Sequence, residues 1–413
     1  MTLGLLRALR NRGLRVAAAK SGPDYIDPRF HEAASGGASI NLDAWAMSAS
    51  EIRARVGGLE CDYLVIEGAV GLLDGAPDGR GAAADLAAAL DAPVAMVLDA
   101  ARQAGSAALP LAGARALRPD LSVAGGILNR VGSERHARIA GQAVENAGFR
   151  SFGAIPRDAS LTTPSRHLGL VQAEERDDLE AFIEAAAGIV EISLDIGALI
   201  AAATPLNTSG ETTPVRPLGQ RIAVARDKAF AFSYPHMLAD WRAAGAEISL
   251  FSPLADEAPT ATADAIFLPG GYPELHGAQL SVASHFKAGM HAAATRGARI
   301  YGECGGYMTL GRGIIDKEGD RHEMLGLLPL ETSFADRKLH LGYRSLTTLD
   351  MPWLPARINA HEFHYATIAK EGAAERLFRA KDAEGADLGE IGLKVGQVAG
   401  SFAHIIAPAP QNP

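Results

Sequence analysis

The most reactive arrangement in the 413-residue sequence is Gly302-Glu303-Cys304-Gly305-Gly306. Arg299 to Tyr301 before it reads as a strand, and Tyr307, Met308 and Leu310 after it as the start of a helix. Glycines flanking a nucleophile permit the strained strand-to-helix turn that pushes a side chain out at the top of a sheet. A helix N-terminus aimed at the sulfur favours thiolate. A cysteine nucleophile also needs a base. His404, in Gly400-Ser401-Phe402-Ala403-His404, is one candidate; His361 and His364, in His361-Glu362-Phe363-His364-Tyr365, are others. No third ligand is spaced to turn that His-x-x-His into a metal site, so a substrate or interface role is expected for the pair. Gly270 and Gly271 follow an apolar strand, Ala265 to Leu268, and could turn backbone N–H groups toward an oxyanion.

These residues need a scaffold, and alternation of strand and helix supplies one. Thr2 to Asn11 interleaves leucines with arginines and reads as an amphipathic helix, stopped at Gly13 and followed by a strand over Leu14 to Ala19. Tyr63 to Glu67, Val94 to Asp99 and Val123 to Asn129 are apolar runs ending in polar residues, separated by Ala-rich helical stretches at Ala82 to Leu90 and Ala104 to Leu117. Such alternation predicts a parallel sheet with helices on both faces, with ligands at the strand ends. A Thr-, Pro- and Ser-rich stretch within residues 194–218 reads as a linker. A second alternating pattern follows, with strands at Arg221 to Ala225, Glu247 to Phe251 and Ala265 to Leu268, and helices at Tyr234 to Ala244 and Phe286 to Arg296. The fold class expected is α/β, with two doubly wound domains: 1–193, then a linker over 194–218, then 219–413.

Composition narrows the function. Hydrophobic residues are 48% and charged residues 21%, enough apolar surface for real cores. The net charge of −9 argues against a nucleic-acid binder. No apolar run approaches the roughly 18 residues of a membrane span. Two cysteines, Cys61 and Cys304, exclude a disulfide scaffold and point to a reducing cytoplasm.

The motifs PGGYPE (269–274), YGECGGYM (301–308), HEFHY (361–365) and GSFAH (400–404) together resemble the class I glutaminase domain of the corrin-amidating enzymes. In the N-terminal half, KSGPDYIDP (20–28) with Phe30 and His31, then NLD (41–43), EGAVGLLDG (67–75) and PSRHLGL (164–170), resemble the cobyrinate/hydrogenobyrinate a,c-diamide synthase family. The likeness runs through essentially the whole chain in order. It implies an ATP-dependent carbon–nitrogen ligase that amidates the a and c carboxylates of a corrinoid acid with ammonia from L-glutamine. It also implies a dethiobiotin-synthetase-like N-terminal domain. Carried onto this chain, it makes Cys304 the nucleophile and His404 its base. Glu67, with Asp24, would hold Mg²⁺. Lys20 would meet phosphate or a substrate carboxylate, and Asn129 the adenine. Asp24, Tyr25, Asp27 and Asp43 would face the substrate. A homodimer is an open option.

The family begins with a strand and a Gly-rich phosphate loop ending in Gly-Lys-Thr, whereas this sequence begins in the helix expected after that loop, and no G-x-x-x-x-G-K-[ST] occurs elsewhere. The expectation is a start assigned too late, with weak ATP binding, no diamide formation and a less stable N-terminal domain for residues 1–413 alone. The ending Gly-Ser-Phe-Ala-His-Ile-Ile lacks the second His and Phe common in cobyrinate enzymes, which favours the metal-free substrate, hydrogenobyrinate. Another tetrapyrrole acid, such as nickel sirohydrochlorin, and a ligase-inactive corrinoid-binding or regulatory protein are the alternatives.

Overall fold

The computed structural model describes residues 1–158, 161, 165–166 and 169–410. Of the PSRHLGL motif, Pro164, His167 and Leu168 lie outside the described residues. The chain divides into two compact units, Met1–Gly75 with Gly79–Thr212, and Ala76–Asp78 with Thr213–Pro413.

The first unit holds two three-stranded parallel sheets. One orders its strands Ser39–Leu42, Val16–Ser21, Tyr63–Glu67; the other Val94–Asp99, Val123–Val131, Arg150–Pro156. Tyr63–Glu67 and Val94–Asp99 therefore each end a sheet, pairing on one side only among the described residues. The helix Thr2–Asn11 is amphipathic, as its leucine spacing predicts, and packs against the helix Leu179–Ser193. Their contact draws Leu6, Leu9, Val16, Ile127, Phe152 and Val190 into one apolar cluster that takes residues from both sheets. Arg7 is buried on the same helix and is satisfied by the carbonyls of Ala34 (2.9 Å) and Ala33 (2.8 Å) and by Glu180 and Glu184. Within the stretch expected as a linker, Ile196–Ala202 form a helix, capped by the Asp195 side chain, whose Ile196 and Ala198 join that cluster. Its apolar run was outweighed in the sequence by the Thr/Pro/Ser run that follows.

In the second unit a ten-stranded sheet begins with five parallel strands, ordered Glu247–Phe251, Arg221–Ala225, Ala265–Leu268, Arg299–Glu303, Val398–Ser401. It continues antiparallel through Asp387–Val395, Glu375–Lys381, His340–Thr348, Arg357–His364 and His404–Pro408. The chain passes from Val398–Ser401 to His404–Pro408 across Phe402 and Ala403 alone, yet these strands stand fifth and tenth in the order. The antiparallel half must therefore curl round until its last strand returns beside the parallel half. That closure sets the catalytic histidine candidate near the cysteine. Among the described residues no helix is long and apolar enough to cross a membrane.

Candidate active site

Cys304 sits where the buried strand Arg299–Glu303 meets the helix Gly305–Leu310, with φ +47° and ψ −105°. A non-glycine residue held there costs on the order of 1–3 kcal/mol, a strain typical of functional turns. The close packing behind the turn explains the following glycines: a Cβ at Gly306 would lie 1.9 Å from the Leu268 carbonyl oxygen. Gly270 is the point where three elements meet. A Cβ there would come within 2.3 Å of His404 Cε1 and 3.3 Å of Cys304 Cβ. The structure thus brings Cys304, His404 and Gly270 together, as the sequence reading expected. Gly271, at φ +157°, has its amide nitrogen against Gly305, so the amide after the cysteine and that of Gly271 lie side by side.

His404 is buried, and its Nδ1 lies 3.6 Å from Glu303 Oε2. The other Glu303 oxygen accepts the backbone N–H of Ile405 at 3.0 Å, which locks the carboxylate beside the imidazole. Sequence reasoning treated Glu303 only as the x of the elbow. Its role was hidden because side chains alternate faces along a strand, and which neighbour it meets depends on the return of the last strand.

The expectation of a thiolate poised by the helix is corrected. Burial pushes the Cys304 thiol well above its ordinary value, and Glu274, Glu362 and Glu303 push in the same direction whenever they are ionised; the hydrogen bond from the Gly305 amide only partly offsets this. The helix has six residues, too short to overcome that field. The resting nucleophile is therefore a thiol that must lose its proton as it attacks. We expect iodoacetamide at pH 7.5 to label Cys304 in the substrate-free protein at less than about one tenth of the rate of a free thiol of ordinary pKa. Peptide mass spectrometry resolves it from Cys61, and labelling at the free-thiol rate would contradict the thiol form.

His361 and His364 part company. His361 pairs in register with His404, its ring 5.3 Å from that of Tyr343, and burial, with the charges of His404 and Arg344, lowers it to about 3. His364 instead stacks between His340 and Phe402. It also lies 2.9 Å from Glu362 Oε1, while Glu362 Oε2 accepts from Arg344 at 2.7 Å. The statement that no third ligand accompanies the His-x-x-His is thus corrected in part. His340, Glu362 and His364 converge, His340 being the register partner of His364 on the neighbouring strand, which spacing along one segment cannot reveal. Although burial opposes it, His364 and Arg344 hold Glu362 at about 2, so the carboxylate already has its partners within the protein.

In the first unit, Lys20 is buried at the end of Val16–Ser21 and meets Asp27, with Asp24 Oδ2 at 3.8 Å and Glu67 Oε2 at 3.7 Å. His31 Nε2 lies 2.5 Å from Glu67 Oε2. Thr2, Asp27, Phe30, His31 and Glu67 line a cavity of about 140 Å³. Burial acts against ionisation of Glu67, yet the His31 hydrogen bond and the Lys20 charge hold it at about 2. Asp24 goes the other way: burial and the Asp27 charge push it up to about 6. Three carboxylates around one ammonium leave an excess of negative charge and hard oxygen donors, a set that fits Mg²⁺ by charge and ligand type. Asn41, unassigned in the sequence reading, binds the carbonyls of Gly22 (3.0 Å) and Asp24 (2.6 Å) and so shapes this loop. Asp43 is fully buried, its Oδ1 accepting the amides of Trp45 and Ala46, so it holds a turn at the end of the strand Ser39–Leu42. Tyr25 is partly buried in the loop before the helix Asp27–Ser35. Asn129, on the other sheet, lines a second cavity of about 390 Å³ with Arg130, Ile155 and Arg157, and Met1 lines both this cavity and the one beside Glu67.

The second unit, with its cysteine turn, returning histidine and glycine amides, is a glutamine amidotransferase domain; residues 221–411 match the family described as the CobB/CobQ-like glutamine amidotransferase domain. Residues 24–165 match one described as an AAA domain, so the two units define a glutamine-dependent ligase. The chain belongs to the hydrogenobyrinate a,c-diamide synthase family. It is 55% identical over 408 residues to the enzyme of that name from Rhizobium meliloti, covering 98% of this chain and 95% of the relative. It is 54% identical over 411 residues to that of a Sinorhizobium species and 53% over 413 residues to that of Brucella anthropi, covering 98% of this chain in both cases and 95% and 94% of the relatives.

Proposed function

We propose that this chain amidates the a and c carboxylates of hydrogenobyrinate, using ATP and ammonia released from L-glutamine, and that it works as a soluble enzyme of the cytoplasm. The observation that carries the reading is Gly270 pressed between His404 and Cys304 in a family member at 55% identity. At the glutaminase site His404 takes the Cys304 proton as sulfur attacks the glutamine amide carbon. The amides of Gly271 and Gly305 receive the developing oxyanion. Collapse of the tetrahedral intermediate expels ammonia and leaves a thioester, which water cleaves to glutamate. Glu303 keeps the His404 ring turned toward the sulfur.

In the first unit the γ-phosphoryl group of ATP activates a substrate carboxylate, and ammonia displaces phosphate from the acyl phosphate to give the amide. Glu67 and Asp24 would hold Mg²⁺, which when bound screens phosphate charge. Lys20 supplies a fixed positive charge for phosphate or carboxylate, and Asp27 orients it. Asn129 is assigned to the base of the nucleotide on its position at a strand end alone.

Mass spectrometry of products tests the reading. In a protein extended by a strand and a Gly-Lys-Thr loop ahead of Met1, with ATP, glutamine and hydrogenobyrinate, a diamide is expected, and with cobyrinate or nickel sirohydrochlorin little or none; the reverse preference would reassign the substrate. His404→Ala should lower glutamine hydrolysis by roughly 10²- to 10⁴-fold. Glu303→Gln should lower kcat by up to roughly 10⁴-fold with KM little changed, since it keeps the shape but removes the charge that stabilises the imidazolium formed during attack. A larger loss in His361→Ala than in His404→Ala would make His361 the base.

A further inference from the structure

Glu274 has no role in the chemistry above, and its surroundings are hard to explain without a ligand. It lies in the single turn Pro273–His276, immediately after the Gly270-Gly271 segment, and is 8% exposed. Neither carboxylate oxygen has a hydrogen-bonding partner from any other described residue. A buried carboxylate without a partner costs several kcal/mol, and such orphans mark places that a ligand completes. The turn packs directly on the nucleophile's helix: a Cβ at Gly305 would lie 2.8 Å from Pro273 Cδ and 3.0 Å from the Gly271 nitrogen. The turn that carries Glu274 thus lies against the nucleophile's helix, and its buried carboxyl is near enough to act on the Cys304 thiol.

We propose that Glu274 is the specificity residue for the amide donor, its carboxylate receiving the α-ammonium group of L-glutamine while the side-chain amide lies at Cys304. Glutamine carries one cation, and an unpaired buried carboxylate selects for a cation. The α-nitrogen is four bonds from the amide carbon, roughly 5 Å when extended, so a single glutamine can meet two groups that lie as near to each other as the thiol and the carboxyl that acts on it. In the substrate-free protein burial pushes Glu274 up to about 8, so it spends much of its time neutral at pH 7 and spares the site an uncompensated charge. The arriving ammonium favours the ionised form and forms a charge-assisted hydrogen bond. A site built this way rejects an analogue that lacks the donor, because the acid is then left buried and unpaired.

The inference rests on the glutaminase reading, and the experiment separates the two. Hydrolysis of L-glutamine and of glutaramate, which is glutamine without its α-amino group, is measured in the full chain and in Glu274→Gln. The unsubstituted protein is expected to prefer glutamine by at least roughly 10²-fold in kcat/KM. Glu274→Gln is expected to bring that ratio to within about threefold of one, mainly through KM for glutamine. Turnover of both amides within tenfold of each other by the unsubstituted protein would overturn the proposal, whether or not the variant folds. Equal losses on both substrates in a folded Glu274→Gln would overturn it too, assigning Glu274 to the common amide or to packing. Absence of glutamine hydrolysis, or hydrolysis that survives Cys304→Ala, would fail the glutaminase reading itself.

Discussion

Replacing Cys304 with serine is expected to reduce glutamine hydrolysis by at least roughly 10³-fold while amidation with free ammonium proceeds at the rate of the parent protein. The substitution removes one sulfur in favour of oxygen at a buried position, so the turn and its packing survive. Nucleophilicity does not survive. The environment already raises the thiol by burial and by nearby carboxylates, and a hydroxyl, far less acidic, would be harder to deprotonate in the same field. His404 cannot compensate, because its contribution is to accept a proton at the moment of attack. Ammonium as donor bypasses all of this and needs only the activated carboxylate. The measurement is paired: glutamate release, and amide formation with either nitrogen source. Equal loss with both sources would mean that Cys304 supports the ligase reaction itself.

How much of this site could be read in the sequence depends on how local each relationship is. The elbow was legible because strand, glycines, cysteine and helix lie within one short stretch. So was the strand Ala265–Leu268 with its two glycines. The strands Tyr63–Glu67 and Val94–Asp99 appear with the limits their apolar runs predict, whereas the strand expected over Leu14 to Ala19 runs Val16–Ser21. That shift carries Lys20 into the strand, where it is buried among acids. The antiparallel half of the second sheet was missed. Its strands are largely exposed or half-buried and carry charges such as Arg344, Glu375 and Lys394, so no continuous apolar run announces them. Everything that depends on that half was missed with it: the Glu303–His404 contact, the convergence of His340 with His364, and the separation of His361 from His364. The electrostatic error at Cys304 has a related cause. A helix N-terminus can be read from a sequence, but carboxylates from Glu274 and Glu362 reach the thiol only through the fold.

Glu67→Gln should remove ATP-dependent amidation, by at least roughly 10²-fold, and leave glutamine hydrolysis measured alone unchanged. Glutamine matches glutamate in size and can still bond to His31, so the substitution isolates charge. Charge is what the position holds: burial works against it, yet His31 and Lys20 keep the carboxylate ionised down to about pH 2. Lys20 retains Asp27 and Asp24 in the variant, so the local ion-pair network loses one member and does not collapse. A group whose folded-state pKa is depressed contributes stability that is fully present above its ordinary value, 4.5, and lost as pH falls through its folded value near 2. The parent protein should therefore lose stability between about pH 4.5 and 2 more steeply than Glu67→Gln, and the two denaturant midpoints should draw together at the acid end of that window. ADP release and glutamate release, followed in the same samples across a magnesium titration, check the catalytic half. ATP turnover that is unchanged at low magnesium would remove Glu67 from the metal's ligands and leave it as the partner that fixes His31 and Lys20.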